Sequence, residues 1–552
     1  MNNLKNCCLV FLVTVCFFSC NTNTYTEYVR LDYTDAEIVQ SEINRIESTI
    51  SKNPVEALWN SYLLFTKTDD QNAKALYNRC VVVIQSEFEK SLSEEQWLDA
   101  IRFADALQIL TNYSDSLKVA LSQDFYESYE FAKNKYATLA QLQPSSEQSI
   151  PTLISGVVTV WVDLGVKVEK GVGFANRSIG SGFFIDERGY IITNHHVIAD
   201  LVDPEYEGYG KLYIKVSHDT ETRIPAVVVG WDETLDLALL KTEVTPPYVY
   251  SLGSSEDVSV GDQIYAIGSP VGLENTITSG IVSAFDRNLL YTASVMQIDA
   301  AINSGNSGGP LISMSGDVQG IVFAGLLEYE GLNFAIPIEY LQSVLLPLYS
   351  GGEVRHSWIA AYGKTDKQYP SDKNGLGVEV LYTMPGGPAY LADIGSGSII
   401  TSFNGISVTC IEDLQFLLIQ ATPRSIAAIG VKDTRDAEEK IVPVYVDSRP
   451  EYPGYEIYLR EPAYKMLYPI FGMELIPAST KNSKKFTVQS IEKGSVADEA
   501  SFSVHDPVEI REVELSEENN QVYVETFTKK RKNGYFEVNI GIAAYLDSSN
   551  IF

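Results

Sequence analysis

The stretch Gly305-Asn306-Ser307-Gly308-Gly309-Pro310-Leu311 sets a serine among glycines, on a turn between apolar runs. That is how a chain presents a nucleophile. The glycines allow a tight turn and leave backbone N–H groups unshadowed. The amides of Gly305 and Ser307 are therefore candidates to hold the oxyanion of a tetrahedral intermediate. A hydroxyl is a weak nucleophile at neutral pH. It needs an imidazole as base, and the imidazole needs a carboxylate to fix its tautomer. Both stand upstream. Residues 190–197 (YIITNHHV) are a mostly apolar strand that ends in His195 and His196. Residues 231–240 (WDETLDLALL) put Asp236 at the mouth of a buried strand. The order is His, Asp, Ser. Ser307 also satisfies G-x-S-x-G, but an α/β-hydrolase would carry Asp and His after the serine. The only histidines after Ser307 are His356 and His505, both in later modules, so that fold is rejected.

At these residues the sequence resembles the trypsin-like proteases of the HtrA/Deg family. The matching blocks are GSGFFIDERGYIITNHHV, DLALLK, VGDQIYAIGSPVGLENTITSGIVSA, QIDAAINSGNSGGPL and GLNFAIP, in family order over some two hundred residues. The resemblance implies a double β-barrel with its site in the cleft between barrels. His196, which directly precedes Val197, matches the base; His195 stands where the family usually has Asn and reads as its neighbour. Asp236 matches the orienting acid, Ser307 the nucleophile, and Gly305 and Ser307 the oxyanion donors. The residue six before the nucleophile, Ala301, matches the base of the specificity pocket, with Ile302 beside it. With no carboxylate there, small to medium apolar side chains are the expected preference. The family also implies homotrimers and control through PDZ domains.

Taken in order, residues 1–20 read as an export signal, with Lys5, an apolar run over 9–18, and Ser19 before Cys20. The sequence FFSCN resembles a bacterial lipobox, which would make Cys20 the lipidated first residue and tether the chain to a membrane. A plain secretory signal cleaved near Ser19 is the alternative. Residues 25–145 are helical in pattern, with apolar residues three and four apart (Val39, Ile43, Ile46, Ile50; Trp97, Ile101, Ala104, Leu107, Leu110). Asn53-Pro54 marks a helix start. Three to five antiparallel helices fit, either a tetratricopeptide-like array or a packed spacer. QLQPSSEQ (141–148) reads as a linker. From 151 to 350, short β-rich runs at 157–162, 182–185, 190–193, 212–216, 226–229, 237–240, 263–267 and 320–323 alternate with Gly and Asp turns, as in an all-β barrel or sandwich.

Residues 352–447 resemble a PDZ domain in Gly387-Pro388-Ala389, the run 394–400 (IGSGSII) and Phe403-Asn404-Gly405. Such domains add a peptide C-terminus as a strand. The loop that would receive it is Ile359-Ala360-Ala361, although the family usually has Gly where Ala360 stands. Residues 449–460 read as a Pro/Tyr linker. Residues 464–552 resemble a degenerate second PDZ, either ligand-binding or purely structural, with Phe471-Gly472-Met473 and Gly494-Ser495-Val496-Ala497 repeating the first copy weakly.

A formal charge of −31 argues against nucleic acid and against a basic lipid-binding patch. The cysteines outside the first twenty residues are Cys80 and Cys410, and no histidine shows metal-ligand spacing, so neither a disulfide framework, nor a metal, nor a cofactor is expected. The expected function is an exported serine endopeptidase acting on unfolded or damaged envelope proteins. The rival is a latent or inactive protease serving as a tethered PDZ scaffold or chaperone. Latency would reside in the loops near 273–278 and 325–331, which must be ordered before the oxyanion hole forms, and 324–331 departs from the common family sequence.

Overall fold

The computed structural model describes residues 31–552, apart from 270–275, 288–292, 326–331, 479–483 and a few shorter stretches. The lipobox-like stretch at Cys20 lies outside the described residues. The chain divides into two compact units. One holds the residues up to Glu94, Arg102–Leu121 and Ser357–Phe552; the other holds Glu95–Ile101 and Ser122–His356.

Five helices come first: α1 (Ala36–Thr49), α2 (Pro54–Thr68), α3 (Gln71–Ser93), α4 (Trp97–Asn112) and α5 (Gln123–Ala137). Asn53 caps α2 through the Glu56 amide, with Pro54 in the first turn, as its sequence signals. The helical stretch is not one unit: α1 to α3 belong with the residues from Ser357 onward, and α5 with the other unit.

The unit that carries the site is built on two barrels. After α6 (Ile150–Ser155), the first uses β1 (Val157–Glu169), β2 (Val172–Asp186), β3 (Tyr190–Thr193), β4 (Lys211–Val216), β5 (Asp219–Asp232) and β6 (Leu237–Thr242). Pairing of β5 with β6 closes it. Its core follows the strand period of two, with Val158, Val160 and Val162 facing Phe184, Ile191, Ile214 and Leu240. The second barrel closes in the order β10 (Pro310–Ile312), β11 (Val318–Gly325), β12 (Asn333–Pro337), β9 (Val295–Ile298), β8 (Thr276–Arg287), β7 (Gln263–Gly268). All eight β-rich runs read from the sequence fall inside these strands. The hairpin from β2 to β3 turns where expected: Gly189, at φ +87°, donates its N–H to the Asp186 carbonyl at 3.0 Å. The short helix α7 (His195–Val202) follows β3, and α8 (Ile338–Ser350) follows β12. The two-residue strand β13 (Gly352–Glu353) then pairs with β5.

In the other unit, one sheet has the order β14 (Ser357–Trp358), β20 (Lys440–Ser448), β19 (Ser425–Lys432), β17 (Ile399–Phe403), β16 (Val378–Thr383), β15 (Ala361–Thr365), with β18 (Ile406–Ser407) on β17. Helices α9 (Pro388–Leu391) and α10 (Ile411–Gln420) accompany it. Helix α2 docks on this module. The Trp59 indole N–H donates to the Pro443 carbonyl at 2.9 Å, and Asn53 donates to the Tyr445 hydroxyl at 2.7 Å. At its other end Lys67 pairs with Asp393 at 3.0 Å.

Residues 449–460 are not a linker. Pro453–Arg460 form α11, because Pro453 suits a first turn and Pro453, Gly454 and Ile457 are buried. Arg449 makes a two-pronged ion pair with Asp547, with both side chains more than nine-tenths buried. Helix α12 (Ala463–Phe471) leads into a five-stranded antiparallel sheet of β21 (Met473–Pro477), β22 (Lys485–Ile491), β23 (Pro507–Ser516), β24 (Gln521–Arg531) and β25 (Tyr535–Tyr545), with α13 (Val496–Glu499) between β22 and β23. Among the described residues no helix follows β23; a hairpin strand takes the place that α10 holds in the first module. One apolar core spans both modules, from Trp358 and Tyr362 to Phe471, Val488, Val524 and Ile551.

Candidate active site

Helix α7 starts as β3 leaves the first barrel, and its buried Val197 and Ile198 fix its rotation. That leaves His196, in the first turn, with its ring about half exposed. Asp236 comes from the turn between β5 and β6, in the left-handed region at φ +53°. Its carboxylate takes two bonds from one residue: Oδ1 accepts the His196 backbone N–H at 2.8 Å, and Oδ2 lies 2.8 Å from Nδ1. The ring therefore presents Nε2 outward. Partial burial opposes a charge on this imidazole, but the hydrogen bond and negative charge of Asp236 outweigh it, and the His196 pKa is raised above its ordinary value.

The turn that carries Asp236 is braced from two sides. Asn194 donates its amide to the Asp236 carbonyl at 2.8 Å. Asp232, fully buried, accepts the Leu235 N–H at 2.9 Å and lies 2.9–3.0 Å from Nε2 of His356, itself 3% exposed. His356 is thus structural to this unit.

Ser307 lies on the turn before β10 in the second barrel. Gly308 follows at φ +84°, and a Cβ there would stand 2.2 Å from the Ser181 carbonyl and 2.5 Å from the Thr193 hydroxyl. Only glycine lets the turn press this closely on the strands of the histidine barrel. Ser181, in β2, fastens it: its N–H donates to the Ser307 carbonyl at 2.7 Å and its hydroxyl to the Gly305 carbonyl at 2.5 Å. The hydroxyl in turn accepts the Ser269 N–H at 2.9 Å. Ser181 went unnoticed as a functional residue in the sequence, although a serine between two glycines in an apolar strand was a visible signal. The Ser307 hydroxyl points to the Phe323 carbonyl at 3.4 Å, at the long limit for such a bond, and no hydrogen bond to His196 forms among the described residues.

The structure thus joins His196 to Asp236 and sets the Ser307–Gly308 turn against Ser181, Thr193 and Asn194, the last two just ahead of the histidine pair. Ala301 is exposed and Ile302 half-buried against the core of the second barrel. Residues 273–275 and 326–331, expected to govern the oxyanion hole, lie outside the described residues. The receiving loop Ile359-Ala360-Ala361 belongs to the other unit, where all three residues are buried and Ala360 holds a left-handed φ of +60°.

A family model for the trypsin-like peptidase domain matches residues 180–321, one for the PDZ domain matches 379–427, and one for the TP0546 family PDZ domain matches 454–546. The chain thus carries a trypsin-like peptidase domain followed by PDZ domains. A family model for a domain of unknown function matches residues 37–125. Curated relatives named "Probable periplasmic serine endoprotease DegP-like" include one from Marinomonas sp. (strain MWYL1), 34% identical over 285 residues, covering 50% of this chain and 58% of that protein. Another, from Pseudomonas putida (strain GB-1), is 37% identical over 275 residues, covering 48% and 54%. The chain thus spans a little over half the length of the curated relatives it matches. Solved structures alike in part are an HtrA-type protease AlgW with a decapeptide (TM-score 0.44, 24% identity, 57% of this chain and 99% of that one) and a serine endoprotease from Yersinia pestis (TM-score 0.40, 27% identity, 55% and 100%).

Proposed function

We propose that this chain is an exported serine endopeptidase that cleaves unfolded or damaged proteins of the cell envelope. The observation that carries the reading is the double acceptance of His196 by the Asp236 carboxylate. It fixes the tautomer that leaves Nε2 free to take a proton. In the reaction, Ser307 attacks the scissile carbonyl as His196 takes its proton. Asp236 stabilises the imidazolium, the amides of Gly305 and Ser307 hold the oxyanion, and His196 returns the proton to the leaving amine. Ala301 and Ile302 line the pocket for the side chain preceding the cut. Location in the periplasm agrees with the names of the relatives, and Cys20 supplies a lipid anchor. The first PDZ module binds extended peptides through Ile359, Ala360 and Ala361, and assembly is as a homotrimer.

The test is turnover of casein by the chain from Asn21, wild type against Ser307→Ala. Loss of the nucleophile should cost on the order of 10⁶ in rate. Equal cleavage by both proteins would refute the assignment. One observation favours a second reading, a latent protease acting as a scaffold: the Ser307 hydroxyl faces the Phe323 carbonyl rather than His196. If neither protein cleaves and both suppress aggregation of the client, that reading takes over.

A further inference from the structure

Strand β15 is the edge of its sheet, and the sequence marks that edge for an incoming peptide. In the structure it is already paired. The Ala361 N–H donates to the Phe552 carbonyl at 2.9 Å, and the Phe552 N–H returns a bond to the Ala361 carbonyl at 2.9 Å. Two residues along, the Gly363 N–H donates to the Asn550 carbonyl at 3.0 Å. Tyr362 and Ile551 form the antiparallel bridge between them. From the far side, the Gln415 side chain on α10 donates to the Ser549 carbonyl. Helix α10 is tied to the end of β15 through the Ile411 N–H and the Thr365 hydroxyl, 3.1 Å apart. The segment 549–552 therefore lies along β15 and is also held from α10.

Its side chains are held as well. Ile551 and Phe552 are 3% and 2% exposed. The Phe552 ring occupies the space over Gly363, where a Cβ would stand 3.1 Å from it. The groove thus has a shaped apolar place for one aromatic side chain and a strand edge for the backbone that leads to it.

We propose that residues 549–552 are the resident ligand of the first PDZ groove. An outside peptide must displace them, and the partner class that can do so is an extended peptide with an aromatic residue in the place of Phe552. The proposal rests on the reading of this groove as a peptide site. It goes further in naming the occupant and the side chain the groove selects.

The test uses a fluorescein-labelled peptide of the sequence of residues 546–552 (LDSSNIF). Its binding by anisotropy is compared between the full chain and a chain lacking 550–552. Phe552→Ala serves as a second, milder variant, and hydrogen exchange of residues 359–365 is followed in all three. Self-occupancy requires at least ten-fold tighter binding by the shortened chain, faster exchange of 359–365 in it, and slowing again when peptide is added. Phe552→Ala should fall between. Equal affinity and equal exchange in all three chains would overturn self-occupancy while leaving the peptide site intact. Faster exchange on shortening without any peptide binding would uphold docking of 549–552 and refute the outside-peptide reading. No binding and no change in exchange would refute both.

Discussion

At the scale of single residues, the stability and the activity that depend on the His196 ring make opposing demands on pH. The raised pKa of His196 means that the charged ring is favoured in the folded chain. Its contribution to stability is complete below the unfolded value of about 6.5 and is lost as pH rises through the folded value. Proton abstraction needs the neutral ring, so activity runs the other way. The acid limb of kcat/KM should therefore have its midpoint above about 6.5. Asp236→Asn removes the charge that raises it. Asn tolerates the left-handed backbone of position 236, so the turn should survive. The expected result is a fall in kcat of roughly 10³–10⁴ and a lower acid midpoint, read from pH–rate profiles. An unchanged midpoint would show that the carboxylate does not set the base. Ser181→Ala is the second residue-scale case. It strips the buried Gly305 carbonyl and Ser269 amide of their partner, which costs about 1–3 kcal/mol in stability. If the bond positions the turn proposed to hold the oxyanion, kcat should drop while KM changes little; a purely structural role would move the melting midpoint alone.

At the scale of elements, what could be read in advance was whatever chemistry writes locally. The strands of the first barrel alternate or run apolar and were visible. Strand β8 begins Thr276-Ile277-Thr278-Ser279-Gly280, with every one of these residues partly or fully exposed, and so carries no apolar period to see. Residues 449–460 looked like a linker because proline and tyrosine suit loops; the buried pairing of Arg449 with Asp547 crosses 98 residues and leaves no local trace. The pairing of His196 with Asp236 was legible because each sits at the mouth of an apolar strand. The Ser181 bonds were not, since they join residues 124 apart. Helix α2 shows the same limit: its cap and first-turn proline announce the helix, but nothing announces that Trp59 will bond to β20. Trp59 is 1% exposed. Trp59→Ala should cost about 3–5 kcal/mol, seen as an earlier denaturant midpoint. A shift under half a kcal/mol would mean that the helix contributes nothing to the module it touches.

At the scale of the molecule, the boundary between structural units does not follow the boundary between helical and β sequence. Helices α1 to α3 share a unit with both PDZ-like modules, while α5 goes with the barrels. Each unit has its own apolar core. Calorimetry should therefore show two transitions. Trp59→Ala should lower one and leave the other, which Ser307 reports, in place. A single transition shifted as a whole by Trp59→Ala would mean that the two units melt as one.

A ligand carried on the same chain does not dilute. Held near its groove by the fold, the segment 549–552 competes at an effective concentration on the order of millimolar, however little protein is present. A passing peptide of equal intrinsic affinity would have to reach that level to win half the sites. The pairing of β15 with Asn550 and Phe552 therefore works as a threshold: abundant but weakly fitting chain ends are ignored, and only those that outfit the resident segment by a wide margin register at all.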